Sequence, residues 1–572
     1  MLEFFLYLIS GFWYALYLDL NLLEAALVGI ALLFTFRGWW PKFSLLGAWR
    51  VWTRLAYRRR TAVASVFLLA LASRAALLPL LPVPTPVVAD EFSHLLIADT
   101  LTHGRLTNPT HPMWEHFESI HIIQKPTYNS DYFPGQGAVL ALGKLAGNPW
   151  IAAWMLCAAM CAVICWMLQG WVPPPWALFG GVLAVIRFGL ASYWVNGYYG
   201  GCLAALGGAL VIGAYPRLLK KPSVRPSLVF GLGIAIIGYT RPFEGLGVAV
   251  PAALALGLAV WKRRLSLAYC IPATALVIAA VGGLLIYNKA LTGDPLRTAY
   301  AVNQATYGWP MALAWYKPPP PPEFRNVEMR RYYAYEREAH DRSASLIGEL
   351  KMATLKAQEV WRFYFGPALT IPLVMLPLVW RSGRLRLVLI AAACTVAIAL
   401  IEAGNSPHYN ACATGCFLGV VVECARRLRA YRRNGRRIGT QLVLLAPLIM
   451  IAILAVRLTL GAMHLPFTQV TNFQSWCCVK PGNQNKARIE AMLGQREGQH
   501  LVLVKPKNNP DNLFQWIYNA SDIDGAKIVW ARDMGEEGNR KLLEYFTGRK
   551  VWALDPDKDP VEIAPVEPRG RP

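Results

Sequence analysis

The sequence predicts an α-helical polytopic membrane protein that crosses the bilayer about 11–13 times and carries a small extracytoplasmic α/β domain at its C-terminal end. Composition comes first. Of 572 residues, 55% are hydrophobic and only 16% charged, and mean hydropathy is +0.34; a soluble chain carries roughly a quarter charged residues. The apolar residues also fall in blocks of about 16–24, enough to cross a hydrocarbon core of roughly 30 Å. Finally, the net charge of +23 is concentrated in five short segments: Arg37–Arg60, Arg217–Arg225, Lys262–Arg264, Arg381–Arg386 and Arg426–Arg437 hold 24 Lys and Arg and no Asp or Glu. Each lies between apolar blocks, as the positive-inside rule requires of cytoplasmic loops. The basicity therefore calls for no nucleic-acid partner.

Taken in order, Met1–Phe36 reads as two short spans hinged near Asp19. No cleavable signal pattern opens the chain, and the block from Leu2 is the first span. Residues 1–60 thus form an N-terminal hairpin and a basic cytoplasmic loop. A core over 61–462 follows, with spans near Thr61–Leu81, Gly137–Leu168 (broken at Asn148-Pro149), Trp176–Trp194, Tyr199–Tyr215, Leu228–Tyr239, Gly245–Trp261, Leu265–Tyr287, Gly366–Trp380, Leu387–Ile401, Ala411–Cys424 and Gln441–Leu460. This count puts every basic segment on one side.

The opposite side collects the rest. Loop 82–136 holds six acidic residues against Arg105 and Lys125. Loop 288–365 contains Pro318–Pro322, an extended spacer. The charged stretch Asn326–Tyr364 that follows it suits a helix lying on the membrane surface. The tail, 463–572, alternates helices (Lys486–Leu493, Asn512–Tyr518, Gly538–Tyr545) with short apolar strands (Leu501–Val504, Lys527–Ala531, Lys550–Leu554). That order predicts a small α/β layer with parallel strands, serving as an accessory or acceptor-contacting domain.

Nine of the eleven cysteines lie inside apolar blocks. Cys157, Cys161 and Cys165 share a helix face and read as small packing residues. A bridge between the adjacent Cys477 and Cys478 would be strained.

Candidate chemistry gathers at the outer ends of the spans. Asp90-Glu91 follows the first core span closely: Asp90 either caps a helix beginning at Glu91 or serves as a general base toward an acceptor hydroxyl. Lys125 is one of two cations in the acidic loop and a candidate phosphate ligand. Arg241 and Glu244 interrupt two apolar blocks, where a charge is costly unless paired or functional. Glu402 and His408-Tyr409 mark another outer end, as do Asn196, Tyr198 and Tyr199, and Asp294 with Arg297. Arg74 and Arg187 fall within spans and are expected to face the bundle interior. Five histidines, His94, His103, His111, His116 and His121, share the acidic loop with its carboxylates, a composition compatible with a divalent metal. None of the tight ligand spacings appears, so no metal and no cofactor is assigned.

Val88-Ala89-Asp90-Glu91-Phe92, Gln124-Lys125-Pro126 and Tyr132-Phe133-Pro134-Gly135-Gln136-Gly137, set in a multispan body ending in an extracytoplasmic α/β domain, resemble the GT-C superfamily of polytopic glycosyltransferases. The likeness is to the family 39-like branch of protein O-mannosyltransferases and lipid A aminoarabinose transferases. Two features depart from that pattern: the usual double proline at re-entry is Phe133-Pro134 here, and the loop before it is longer than in the aminoarabinose branch. The resemblance implies inverting transfer of a sugar from a polyprenyl-phosphate donor to a glycan, lipid or protein acceptor at the outer face of the plasma (inner) membrane. It implies Asp90 as base, Glu91 as its neighbour, and Lys125 and Arg241 as holders of the lipid phosphate. His94, Tyr128, Tyr132, Glu244, Glu402 and His408 are the further candidate substrate-site residues. A transporter or flippase of a lipid-linked sugar and a non-catalytic envelope scaffold are the alternatives. The first predicts charges near the bilayer midplane and internal repeats.

Overall fold

The computed structural model describes residues 20–39, 46–309, 313, 316–402, 404, 406–463, 474–478, 482–508 and 515–566. The first of the two N-terminal spans lies outside them. Among the described residues six helical runs are long and apolar enough to cross a membrane: Pro149–Leu168, Cys202–Lys220, Pro242–Trp261, Leu267–Thr292, Leu346–Arg381 and Ile438–Leu460. Shorter apolar helices, Pro174–Gly189, Val224–Gly238 and Arg386–Ile401, lie between them. This is a polytopic membrane protein.

The Arg59–Ala76 helix packs against Pro149–Leu168, which in turn packs on Cys202–Lys220. The expected break at 148 is present. The Gly135–Leu145 helix ends, and the Asn148 side chain accepts a hydrogen bond from Trp150 N to start the next one, with Pro149 at its first position, where a missing N–H costs nothing. Cys157, Cys161 and Cys165 are buried in the core, as packing residues should be. Arg74 and Arg187 also point inward. Arg74 donates to Asn196 Oδ1 at 2.7 Å. Arg187 donates to the carbonyls of Phe363 and Arg362 at 2.8 and 2.6 Å and lies 3.9 Å from Glu24. Arg187 has the carbonyl partners that burial demands, whereas Arg74 bonds only through Nη2 and rests its guanidinium 4.9 Å over the Trp150 ring. The adjacent Cys477 and Cys478 are bonded to each other.

The charged stretch 326–364 differs from the single surface helix expected. It is two helices, Val327–Ser343 and Leu346–Val360, because Ser345 caps the second by accepting from Gly348 N. The second helix belongs to the 36-residue apolar run that ends at Arg381. The proline spacer before it has no regular structure.

In the tail, strands His500–Val504, Ile528–Arg532 and Lys550–Leu554 are parallel, with His500 opposite both Ile528 and Lys550. A fourth strand, Ile563–Pro565, adds antiparallel at one edge. The expected helices at 486–493 and 538–545 form. That at 512–518 does not: residues 515–518 are irregular, and 512–514 lie outside the described residues. Both faces of the sheet are covered, as parallel sheets require. Val502, Val504, Trp530 and Leu554 pack against Ile489 and Leu493 of the Gln484–Gln495 helix. Leu501, Leu503, Val529 and Ala531 pack against Leu96, Phe117, Ile122 and Tyr128 of the acidic loop. The tail thus braces the loop that carries Asp90.

Candidate active site

The acidic loop folds as one helix, Ala89–Thr102, followed by a small antiparallel sheet. Glu91, not Asp90, closes the helix start. Val88 is extended, and the Glu91 carboxylate, three residues on, accepts from Val87 N at 2.7 Å and Val88 N at 3.2 Å. Its other oxygen accepts from Tyr198 N at 3.0 Å, joining the helix start to the bundle. Burial raises the Glu91 carboxyl to about 7 against the pull of these backbone donors. A helix beginning at Glu91 with an Asp90 cap is therefore not what forms: the helix begins at Ala89, and Asp90 sits in its first turn. Its carboxylate accepts from the Tyr132 hydroxyl at 2.6 Å.

Tyr132 is delivered by the sheet. Strands Ile122–Ile123 and Thr127–Ser130 pair with Ile122 opposite Ser130, which sets His121 beside Asp131 at the hairpin base and Lys125 at its tip. Ser93, one turn along the helix from Asp90, bonds His121 O at 2.7 Å and Ser130 Oγ at 2.6 Å, fixing the base against the helix. His121 Nδ1 lies 3.1 Å from Asp131 Oδ2, both buried. Burial opposes its charge, but Asp131 prevails and raises the imidazole to about 9. His94 behaves oppositely. Burial, with Arg241 nearby, lowers it to about 4 despite the attraction of Asp90; its ring lies 4.7 Å from that of Tyr132.

The re-entry motif brings in Arg241. Gly135 N donates to Tyr239 O at 2.8 Å, and a Cβ on Gly135 would meet that oxygen at 2.6 Å. Gly137 abuts Ile97 so closely that its own Cβ would lie 2.4 Å from it. The two glycines let the loop seat between the Asp90 helix and the segment that ends in Arg241. Arg241 pairs with Glu244 Oε1 at 2.6 Å and lies 4.7 Å over the Tyr409 ring. Burial disfavours its charge, but Glu244 more than compensates and holds it cationic.

Other residues complete the group. His408 is buried with Nδ1 3.0 Å from the Tyr193 hydroxyl, and burial and Arg241 keep it neutral. Glu402 follows the Arg386–Ile401 helix, and Lys356 Nζ donates to its backbone carbonyl. Burial, then repulsion from Glu244, raises its carboxyl. Tyr132 also meets Tyr300 at 5.6 Å, and Tyr300 stacks on Trp309 at 5.7 Å. The Tyr332 hydroxyl lies 2.9 Å from His121 Nε2. Asp90, His94, Tyr132, Arg241, Tyr300, Trp309, Tyr332 and Tyr409 are all half-buried, so the group faces an opening rather than a sealed core.

Lys125 and Tyr128 stand apart from it. Lys125 is exposed, its Nζ 4.4 Å over the Trp114 ring with Arg325 at 4.8 Å from the same ring. It borders a separate cavity of about 240 Å³ with Glu118, Gln124 and Tyr307. Tyr128 is buried against the tail and donates to Asn519 O at 3.0 Å. The five histidines divide the same way. His94 and His121 join Asp90, whereas His111 pairs with Asp524 at 3.0 Å and His116 bonds Arg532 O at 3.0 Å. His103 sits beside Asp99, which accepts from Ser521 N at 2.6 Å. Among the described residues no three His, Cys, Asp or Glu side chains gather as a metal site.

Sequence reasoning did not single out Asp131, Tyr300, Trp309 or Tyr332 as site residues. The available signal was aromatic residues recurring in outer loops near a candidate acid.

No family model and no curated protein matches the chain. Among the solved structures similar to it are two of one enzyme. One is the crystal structure of the Archaeoglobus fulgidus oligosaccharyltransferase tethered with an acceptor peptide containing the NVT sequon (11% identity, TM-score 0.40, covering 78% of this chain and 62% of that one). The other is the archaeal oligosaccharyltransferase AglB from Archaeoglobus fulgidus in complex with an inhibitory peptide and a dolichol-phosphate (10% identity, TM-score 0.39, covering 86% and 69%). The chain thus spans less than two thirds of the first neighbour's length.

Proposed function

We propose that this protein is a membrane glycosyltransferase of GT-C type. It moves a sugar from a polyprenyl-phosphate-linked donor to an acceptor hydroxyl or amine at the extracytoplasmic face of the plasma (inner) membrane, with inversion at the anomeric carbon. The observation that carries this reading is the division of labour at the helix start. Glu91 is consumed by three backbone N–H groups, while Asp90 is half-buried, bonded by Tyr132 and in the same cluster as Arg241. The Asp-Glu and Phe-Pro-Gly sequence motifs of the family resemblance support it as well.

In this mechanism the acceptor heteroatom attacks the anomeric carbon as Asp90 takes its proton, a step that needs the carboxylate within hydrogen-bond reach. The bond from that carbon to the phosphate oxygen breaks, and the polyprenyl phosphate leaves. Positive character grows on the sugar while negative charge grows on the departing phosphate, where a fixed cation is most useful in a dry site. Arg241 supplies that cation. Tyr132 orients the base, and His121 adds positive charge behind it. The tyrosine and tryptophan rings offer flat apolar faces to a sugar. Lys125 lies with a different set of residues, so the donor phosphate is assigned to Arg241 alone.

The test is binding and transfer measured separately on purified protein with a polyprenyl-phosphate sugar. Asp90→Asn should bind the lipid and fail to transfer. Retained transfer, or lipid bound without contact to Arg241, overturns the assignment.

A further inference from the structure

The Arg59–Ala76, Pro149–Leu168 and Cys202–Lys220 helices enclose a second feature at the end of the bundle away from Asp90. The first of these helices begins at Arg59 and leads from there toward the Asp90 loop. The third begins just after Tyr198, which binds Glu91, and ends near Arg217. At roughly 1.5 Å per residue, 18 or 19 residues separate the two ends by about 27 Å, close to a bilayer core.

A groove of about 610 Å³ opens there, with Arg59, Arg60 and Arg217 at its rim and Val63, Ala64, Phe67, Ala159, Val163 and Trp166 along its wall. Arg217 is rigidly placed. It donates to Gly213 O at 2.6 Å and Trp166 O at 2.7 Å, and its guanidinium lies 3.8 Å over the Trp166 ring. Two of its five N–H groups are thereby used. Gln169 donates to Arg59 O at 2.9 Å and ties the start of that helix to the same rim. Among the described residues no Asp or Glu forms an ion pair with Arg59, Arg60 or Arg217, and the segments 37–60 and 217–225 contain no acid at all.

A free anion would match the arginines but leave the apolar wall unexplained. A zwitterionic or neutral lipid would match the wall but leave the net positive rim uncompensated. We propose that this groove binds an anionic phospholipid from the leaflet on the basic side, its phosphodiester between Arg59, Arg60 and Arg217 and one acyl chain along the wall from Ala64 to Trp166. The proposal rests on the membrane-spanning fold and not on glycosyl transfer, so either can fail alone.

The experiment uses the full chain, purified in mild detergent and supplied with equal phosphatidylglycerol and phosphatidylcholine. Retained lipid is counted by native mass spectrometry, and thermal stability is read in parallel. The protein should keep phosphatidylglycerol preferentially. Basic residues near an anionic lipid surface each contribute about a fivefold preference, so Arg59→Gln/Arg60→Gln should lose at least that much. Ala64→Trp, which fills the exposed wall without changing charge, should lose a similar amount. Lys220→Gln/Lys221→Gln removes two exposed cations from the same side outside the groove and should lose less than the groove arginines do. Glycerol 3-phosphate should not displace the lipid. Equal retention of the two lipids, equal loss in the lysine control, an unaffected Ala64→Trp, or displacement by glycerol 3-phosphate would each overturn the proposal.

Discussion

At the Asp90 end of the bundle cations are matched by anions: Arg241 by Glu244 at 2.6 Å, His121 by Asp131 at 3.1 Å. At the far end Arg59, Arg60 and Arg217 share a groove rim with no carboxylate. Both ends meet a membrane boundary, and the positive-inside bias accounts for the sign of only one of them. Paired charges in a half-buried site are held rigidly with their net charge cancelled, an arrangement that suits stabilising charge which appears only during a reaction. Unpaired charges beside an apolar wall suit a partner that brings its own charge permanently.

The sharpest way to break this comparison is Asp90→Asn. Loss of a general base costs about 10²–10⁴-fold, so transfer should fall on that order while thermal stability and lipid binding stay near wild type. Arg241→Ala should follow, lowering transfer about 10²–10³-fold and also weakening donor binding; Arg241→Lys should recover part of both. A stability prediction comes next. His121 is raised from its ordinary 6.5 to about 9, so the folded state holds its proton more tightly than the unfolded chain. Its contribution is fully present below pH 6.5 and is lost as pH rises through 9, amounting to about 3 kcal/mol. Melting followed from pH 6 to pH 9.5 should show this decline, and His121→Gln should flatten it. Tyr132→Phe removes one hydrogen bond to a carboxylate and should cost about 1.5–3 kcal/mol, read as a slower transfer rate with donor affinity unchanged. The smallest effect belongs to the other end: Arg59→Gln should leave transfer in detergent unaltered and change only the preference for anionic lipid.

Much of the site was legible by residue type and little by residue role. The pair Asp90-Glu91 could be found from its position after a span, but local sequence left Asp90 as either the cap or the base. The extended Val88 decides, because it turns its own N–H and that of Val87 toward the third residue of the helix. Lys125 is attractive as one of only two cations in an acidic loop. A short hairpin puts it at the tip over Trp114, away from the base where His121 and Tyr132 meet Asp90. Tyr300 and Tyr332 lie some 170 to 200 residues from Tyr132, a separation across which periodicity carries no information.

The sequence by itself determined the long apolar helices and the parallel strands of the tail, because hydrophobic length and alternation are local properties that water and lipid enforce directly. The tertiary structure alone decided which carboxylate is held by backbone and which is left with a tyrosine, which histidines meet Asp90, and that three arginines from separate segments share one groove. Those depend on hairpin register and on close approaches such as Gly135 to Tyr239. Such contacts are short-range, and they join residues that the chain itself keeps far apart.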